Sequence, residues 1–205
     1  MPLKKNTYLL LILIAGVCFI CWNTKNSDVK ARWIVLKGGT LRVNGSTNIN
    51  TFSCLVANDS SPDTISFITN KDVSVLMTGK IDLDIFGFDC HNPMMTADLR
   101  KTLKAKEYPT MKINFVSLNK YPDLKPSQES IKGLVNIELA GVIKRYEVSY
   151  KFYMDNQNTI HLIGDRSVNF SDFKLTPPRK LGGIIRANDN LDVEFGLSLK
   201  SINNY

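Results

Sequence analysis

From residue 41 to residue 200 the chain repeatedly alternates apolar and polar side chains with a period of two. It is cleanest near the end, where Leu191, Val193, Phe195, Leu197 and Leu199 alternate with Asp192, Glu194, Ser198 and Lys200. Leu41 and Val43 do the same against Arg42 and Asn44, as do Met111, Ile113 and Phe115 against Lys112 and Asn114. The period returns in Ile81–Ile85, Ile131–Leu139 and Tyr146–Phe152, with shorter pieces at Ile160, Leu162, Val168 and Phe170. A period of two is that of a strand, and one wet face with one dry face marks antiparallel sheet. Stretches such as Asp155-Asn156-Gln157-Asn158 and Asn188-Asp189-Asn190 carry turn chemistry between the strands. An all-β chain of this length closes into a sandwich or a barrel.

One segment departs from the period. Between Met94 and Ala105, the residues Met95, Leu99 and Leu103 repeat every fourth position, and Tyr108-Pro109 follows. The spacing predicts a single short amphipathic helix. In an all-β chain such a helix plugs or lids the barrel, so the stripe is expected to close one end.

The first 25 residues read as an export leader. Lys4 and Lys5 precede an apolar run from Tyr8 to Trp22, and Asn23-Thr24-Lys25-Asn26 is a polar exit. The run is shorter than the roughly 20 residues a spanning helix needs, and no small-x-small cleavage site stands near its end. Residues 1–25 are therefore either a cleaved signal peptide or a short anchor that holds the protein to a membrane through residues 8–22. Residues 26–39 read as a linker and residues 40–205 as the folded domain. Export points to the periplasm or cell envelope. The net charge of +7 includes Lys4, Lys5 and Lys25, and the mildly basic remainder is far from a nucleic-acid-binding composition.

Two of the four cysteines lie in the leader, leaving Cys54 and Cys90 for the exported domain. In an oxidising compartment these two are expected to pair, the alternative being two unrelated buried thiols. Two histidines are too few for a site of clustered imidazoles. Cys90-His91 carries no free nucleophile if Cys90 is paired, and Asp82 with Asp84 reads as a wet strand face. No Gly-x-Ser-x-Gly, His-Glu-x-x-His or phosphate-cradling loop is present. The expectation is a protein that is not an enzyme and uses no metal or cofactor.

Four segments in order carry a family likeness: Thr47–Cys54; Asp98–Pro109 leading into Met111–Phe115; Gly133–Ile137 with Ala140–Lys144; and Phe170–Lys180 with its Pro177-Pro178-Arg179-Lys180 loop. Together, over roughly residues 40–200, they resemble the YceI-like family of exported lipid-binding or polyisoprenoid-binding proteins. The chain lacks the early His-containing strand usual in that family. The resemblance implies a lipocalin-like antiparallel barrel of about eight strands around an apolar tunnel for a long-chain amphiphile.

Within that frame, Phe52, Phe86, Phe88, Leu99, Phe115, Phe170 and Phe195 are the candidate cavity residues. Arg100 on the helix and Arg179 after the rigid Pro177-Pro178 pair are the candidate headgroup residues, since guanidinium groups hold phosphates bidentately. Both sets have a bland alternative: the aromatics fill the core and the cations are solvated. The expected function is storage or carriage of a polyisoprenoid-like lipid, as carrier, buffer or envelope-stress factor. The alternative is a surface structural or interaction protein whose barrel is filled.

Overall fold

In the computed structural model, residues 28–58, 63–69, 74–125 and 130–202 are described. The leader lies outside them, and among the described residues no helix is long and apolar enough to cross a membrane. The strands are β1 (Asp28–Val35), β2 (Gly39–Thr47), β3 (Thr51–Asn58), β4 (Thr64–Thr69), β5 (Val75–Asp84), β6 (Thr110–Leu118), β7 (Ile131–Leu139), β8 (Val142–Met154), β9 (Ile160–Asn169), β10 (Arg179–Lys180) and β11 (Ile185–Ser201). The helix α1 spans Pro93–Thr102 between β5 and β6.

These strands close an antiparallel barrel of eight staves. Six staves are single strands: β5, β6, β7, β8, β9 and β11. The other two are broken in the middle. β1 and β2 follow one another along one edge of β11, with Val35 opposite Leu199 and Thr40 opposite Gly196. β4 and β3 continue each other in the same way, with Thr64 opposite Ile34 and Asn58 opposite Gly39. The segment expected as a linker is thus corrected from Asp28 onward. Its Ala31, Trp33 and Val35 are buried, so it supplies half a stave.

The barrel has a lower end, at the β8–β9 turn, and an upper end, at the β2–β3 hairpin. Trp33, Phe67 and Phe152 fill the lower half, with ring centroids 4.4, 6.1 and 6.5 Å apart. Phe115, Tyr150 and Phe195 form a floor across the middle, their centroids 6.0 to 6.4 Å apart. Phe195 lies over Gly164, its cross-strand partner. A Cβ at Gly164 would come within 2.3 Å of that ring, so glycine here is a packing requirement.

The Cys54–Cys90 disulfide joins β3 to the segment leading into α1. Leu55 and Asp89 reinforce it, each amide donating to the other's carbonyl at 2.8 Å. Asn92 then caps α1 by accepting from the Met95 amide at 3.0 Å, and Pro93 opens the helix, where a missing N–H costs nothing. Leu99 and Leu103 are buried and Met95 is half-buried, so the stripe faces inward across the upper end. The helix stops at Thr102 rather than Ala105 because Lys104 is left-handed, with φ of 54°.

Cys54→Ser should leave Cys90 reactive to thiol reagents and lower stability by about 3–4 kcal/mol on the chain-entropy account of a 36-residue separation. Denaturant unfolding with thiol titration checks this. An unchanged midpoint would show that the bond does not hold α1 in place.

Candidate ligand cavity and adjoining groove

Five inward positions of the upper half carry valine, among leucine, isoleucine and methionine neighbours. Val43, Val135, Val148, Val168 and Val193 come from five different staves and face one another above the Phe195 floor. Valines where the lower half has aromatics leave a cavity of ≈ 70 Å³. Leu99 and Leu103 of α1, with Phe88 and Phe173, roof it. Among the described residues, every one that lines it is apolar except Arg166.

On the other side of α1 lies a groove of ≈ 210 Å³ between the helix, the β2–β3 hairpin and the start of β11. Phe52, Met94, Met95, Leu99, Phe170 and Ile185 supply its apolar wall. Lys180 on β10 reaches Asp98 on α1 at 2.6 Å and ties the two sides of the groove together. Ile49 and Met94, at 65% and 66% exposure, place apolar side chains at its rim. Leu99 lines both spaces, so its side chain is the partition between groove and cavity.

The expected cavity residues divide between these spaces. Phe88, Leu99 and Phe195 line the cavity; Phe52 and Phe170 line the groove; Phe115 belongs to the floor. Phe86 lines neither and is 45% exposed. β5 ends at Asp84, whose carboxylate accepts from the Phe86 amide at 2.8 Å and starts a 3-10 turn. Ile85 keeps the inward register of Ile81 and Leu83, so Phe86, the next residue, faces outward.

The two candidate headgroup arginines line neither space. Arg100 is one residue past Leu99, about 100° around the helix, and donates to the Phe88 carbonyl at 2.8 Å. It fastens α1 to the segment below. Arg179 is exposed on β10, opposite Arg186 of β11. The cation beside the groove is its neighbour Lys180, already paired to Asp98. Sequence reading missed Arg166, although its position in the inward register of β9, after Ile160, Leu162 and Gly164, was the available signal.

The two histidines stand away from both spaces. His91 is exposed. His161 Nε2 lies 2.8 Å from Asp155 Oδ2 in the β8–β9 turn. That contact, with the Thr159 amide, holds the Asp155 carboxyl below its ordinary range.

No family model and no curated protein matches the chain. Among solved structures it is similar to BcnA of Burkholderia cenocepacia, at 13% identity and a TM-score of 0.57 over 78% of this chain and 95% of that one. It is similar to a polyisoprenoid binding domain from Saccharophagus degradans, at 9% identity and a TM-score of 0.57 over 84% and 99%. A Campylobacter jejuni YceI protein matches at 16% identity and a TM-score of 0.45 over 62% and 73%. At these identities the likeness concerns architecture alone, and that architecture is the antiparallel barrel that the resemblance implies.

Proposed function

We propose that this protein is an exported lipid-binding barrel that holds the apolar chain of a long amphiphile, of polyisoprenoid type, as carrier or buffer in the cell envelope. The observation that carries the reading is an apolar cavity separated from an apolar groove by one leucine side chain. Apolar lining suits a prenyl or acyl chain, because each methylene removed from water contributes about 0.8 kcal/mol. The cavity of ≈ 70 Å³ is smaller than the roughly 150 Å³ that accommodates a benzene ring. A chain of several isoprene units therefore needs Leu99 to swing aside and join the groove to the cavity. The same fold carries a polyisoprenoid in name in the Saccharophagus degradans domain. The basic, apolar leader supports export and membrane association through residues 8–22, and the disulfide is compatible with it.

The second reading is a surface structural or interaction protein with no ligand. The aromatic filling of the lower half and the small cavity favour it. Organic extraction and mass spectrometry of protein purified from its own host separate the two. The lipid-binding reading expects one co-purifying lipid per chain. An empty protein that also fails to take up a neutral apolar fluorophore would leave the structural reading standing.

Leu99→Ala should remove the partition. We expect a loss of about 2–5 kcal/mol in stability, as for other buried leucines, together with faster uptake of an apolar fluorophore in stopped-flow mixing. Uptake no faster than in the unaltered protein would show that entry bypasses α1.

A further inference from the structure

Resting on the lipid-binding reading, we propose that Arg166 is the headgroup site: it receives an anionic headgroup, phosphate or carboxylate, where the barrel wall splits between β8 and β9. The split is visible in the strand pairing. β8 and β9 are hydrogen-bonded from Ser149–Asp165 down to Met154–Ile160. Above that point the first half of β8 pairs with β7, and the last residues of β9 pair with β11. Residues 142–148 and 166–169 are therefore neighbouring parts of the wall with no ladder between them.

Arg166 stands at the lip of this split. It is directly opposite Val193 on β11, and directly opposed residues of an antiparallel pair point to the same face. Val193 lines the cavity, so Arg166 is in the inward register. An arginine there is costly in a closed wall, yet this one is exposed, because the wall is open beside it. Among the described residues its guanidinium makes no ion pair, and its contact is the Tyr146 ring, 5.9 Å from the centroid. That ring is itself held in the split: the Tyr146 hydroxyl donates to Asp172 at 2.8 Å, and Phe173 packs at 6.1 Å. Burial first, and then the bond to Asp172, push the Tyr146 hydroxyl well above its ordinary range, so it remains a donor. Asp172 accepts from this hydroxyl and from the Asn169 amide at 3.0 Å, which leaves the guanidinium donors of Arg166 for a ligand.

An amphiphile with its chain among the valines would thus bring its head to the one cation of the lining. Arg166 offers a planar fork of donors that suits phosphate and carboxylate alike. The test is displacement of N-phenyl-1-naphthylamine from the full chain by farnesol, farnesoic acid and farnesyl monophosphate. One or both anions should bind at least about tenfold more tightly than farnesol, the increment expected of a charge-assisted hydrogen bond. Which anion is preferred identifies the headgroup. Arg166→Gln should abolish the preference and leave farnesol affinity unchanged, and Arg166→Lys should restore part of it. Anions no tighter than farnesol, or a preference that survives Arg166→Gln, would overturn the headgroup site. Failure to take up the fluorophore at all would overturn the lipid-binding reading itself. Equal unfolding midpoints for the variants keep the comparison one of binding.

Discussion

Closure of the barrel depends on one strand. β11 runs for 17 residues and pairs along one edge with β9 and along the other with β2 and then β1. Without that double pairing the sheet would present two long open edges, with unpaired amides and carbonyls ready to add another chain. With it, the apolar face of every stave turns inward and the polar face meets water, as the two-residue alternation requires. The broken staves follow from the same strand. Its length exceeds what β1 alone can match, so a second segment, β2, takes over after the turn at residues 36–38.

That break has consequences at the upper end. β3, the continuation of β4, no longer pairs with β5 but bridges to Asp89 and is bonded to Cys90. The chain leaving β5 is thereby held at the rim, and α1 starts from a fixed point at Asn92. Leu99 and Leu103 then lie over the lumen and Arg100 fastens the helix to Phe88. The lower half, with Trp33, Phe67 and Phe152, behaves as an ordinary packed core. The upper half, lined by valines, does not fill its space. The molecule is therefore a filled lower half below a chamber of ≈ 70 Å³, and the chamber is where ligand binding is proposed.

Much of this was legible in the chain. The alternation in Leu191–Lys200 marked a strand, though not its closing role, and the Met95–Leu99–Leu103 spacing marked the helix over the barrel and the face it buries. The pairing of Cys54 with Cys90 followed from the expectation of export and from the cysteine count. Three features were not read. Ala31, Trp33 and Val35 alternate as clearly as later strands, but their nearness to the leader disguised a stave as a linker. Phe86 falls on the polar face of the β5 alternation, with Lys80, Asp82 and Asp84, and its aromatic character outweighed that position. Arg166 interrupted an inward apolar register, and the reason such a residue is tolerated there is the split between β8 and β9. That split is a matter of which strands part company, which depends on long-range register rather than on any local pattern. Arg100 and Arg179 illustrate the converse. Their residue type suited a headgroup, but one is used to hold a helix and the other stands on an outer strand.

If the lipid-binding reading holds, apolar ligand enters the upper chamber and leaves the lower core untouched. Methyl NMR during titration with farnesol distinguishes the two halves. Shifts are expected at Val43, Leu99, Leu103, Val135 and Leu191, with Leu118, Ile160 and Leu199 unmoved. Shifts spread evenly over both halves, or confined to exposed methyls such as Ile143 and Ile184, would contradict it.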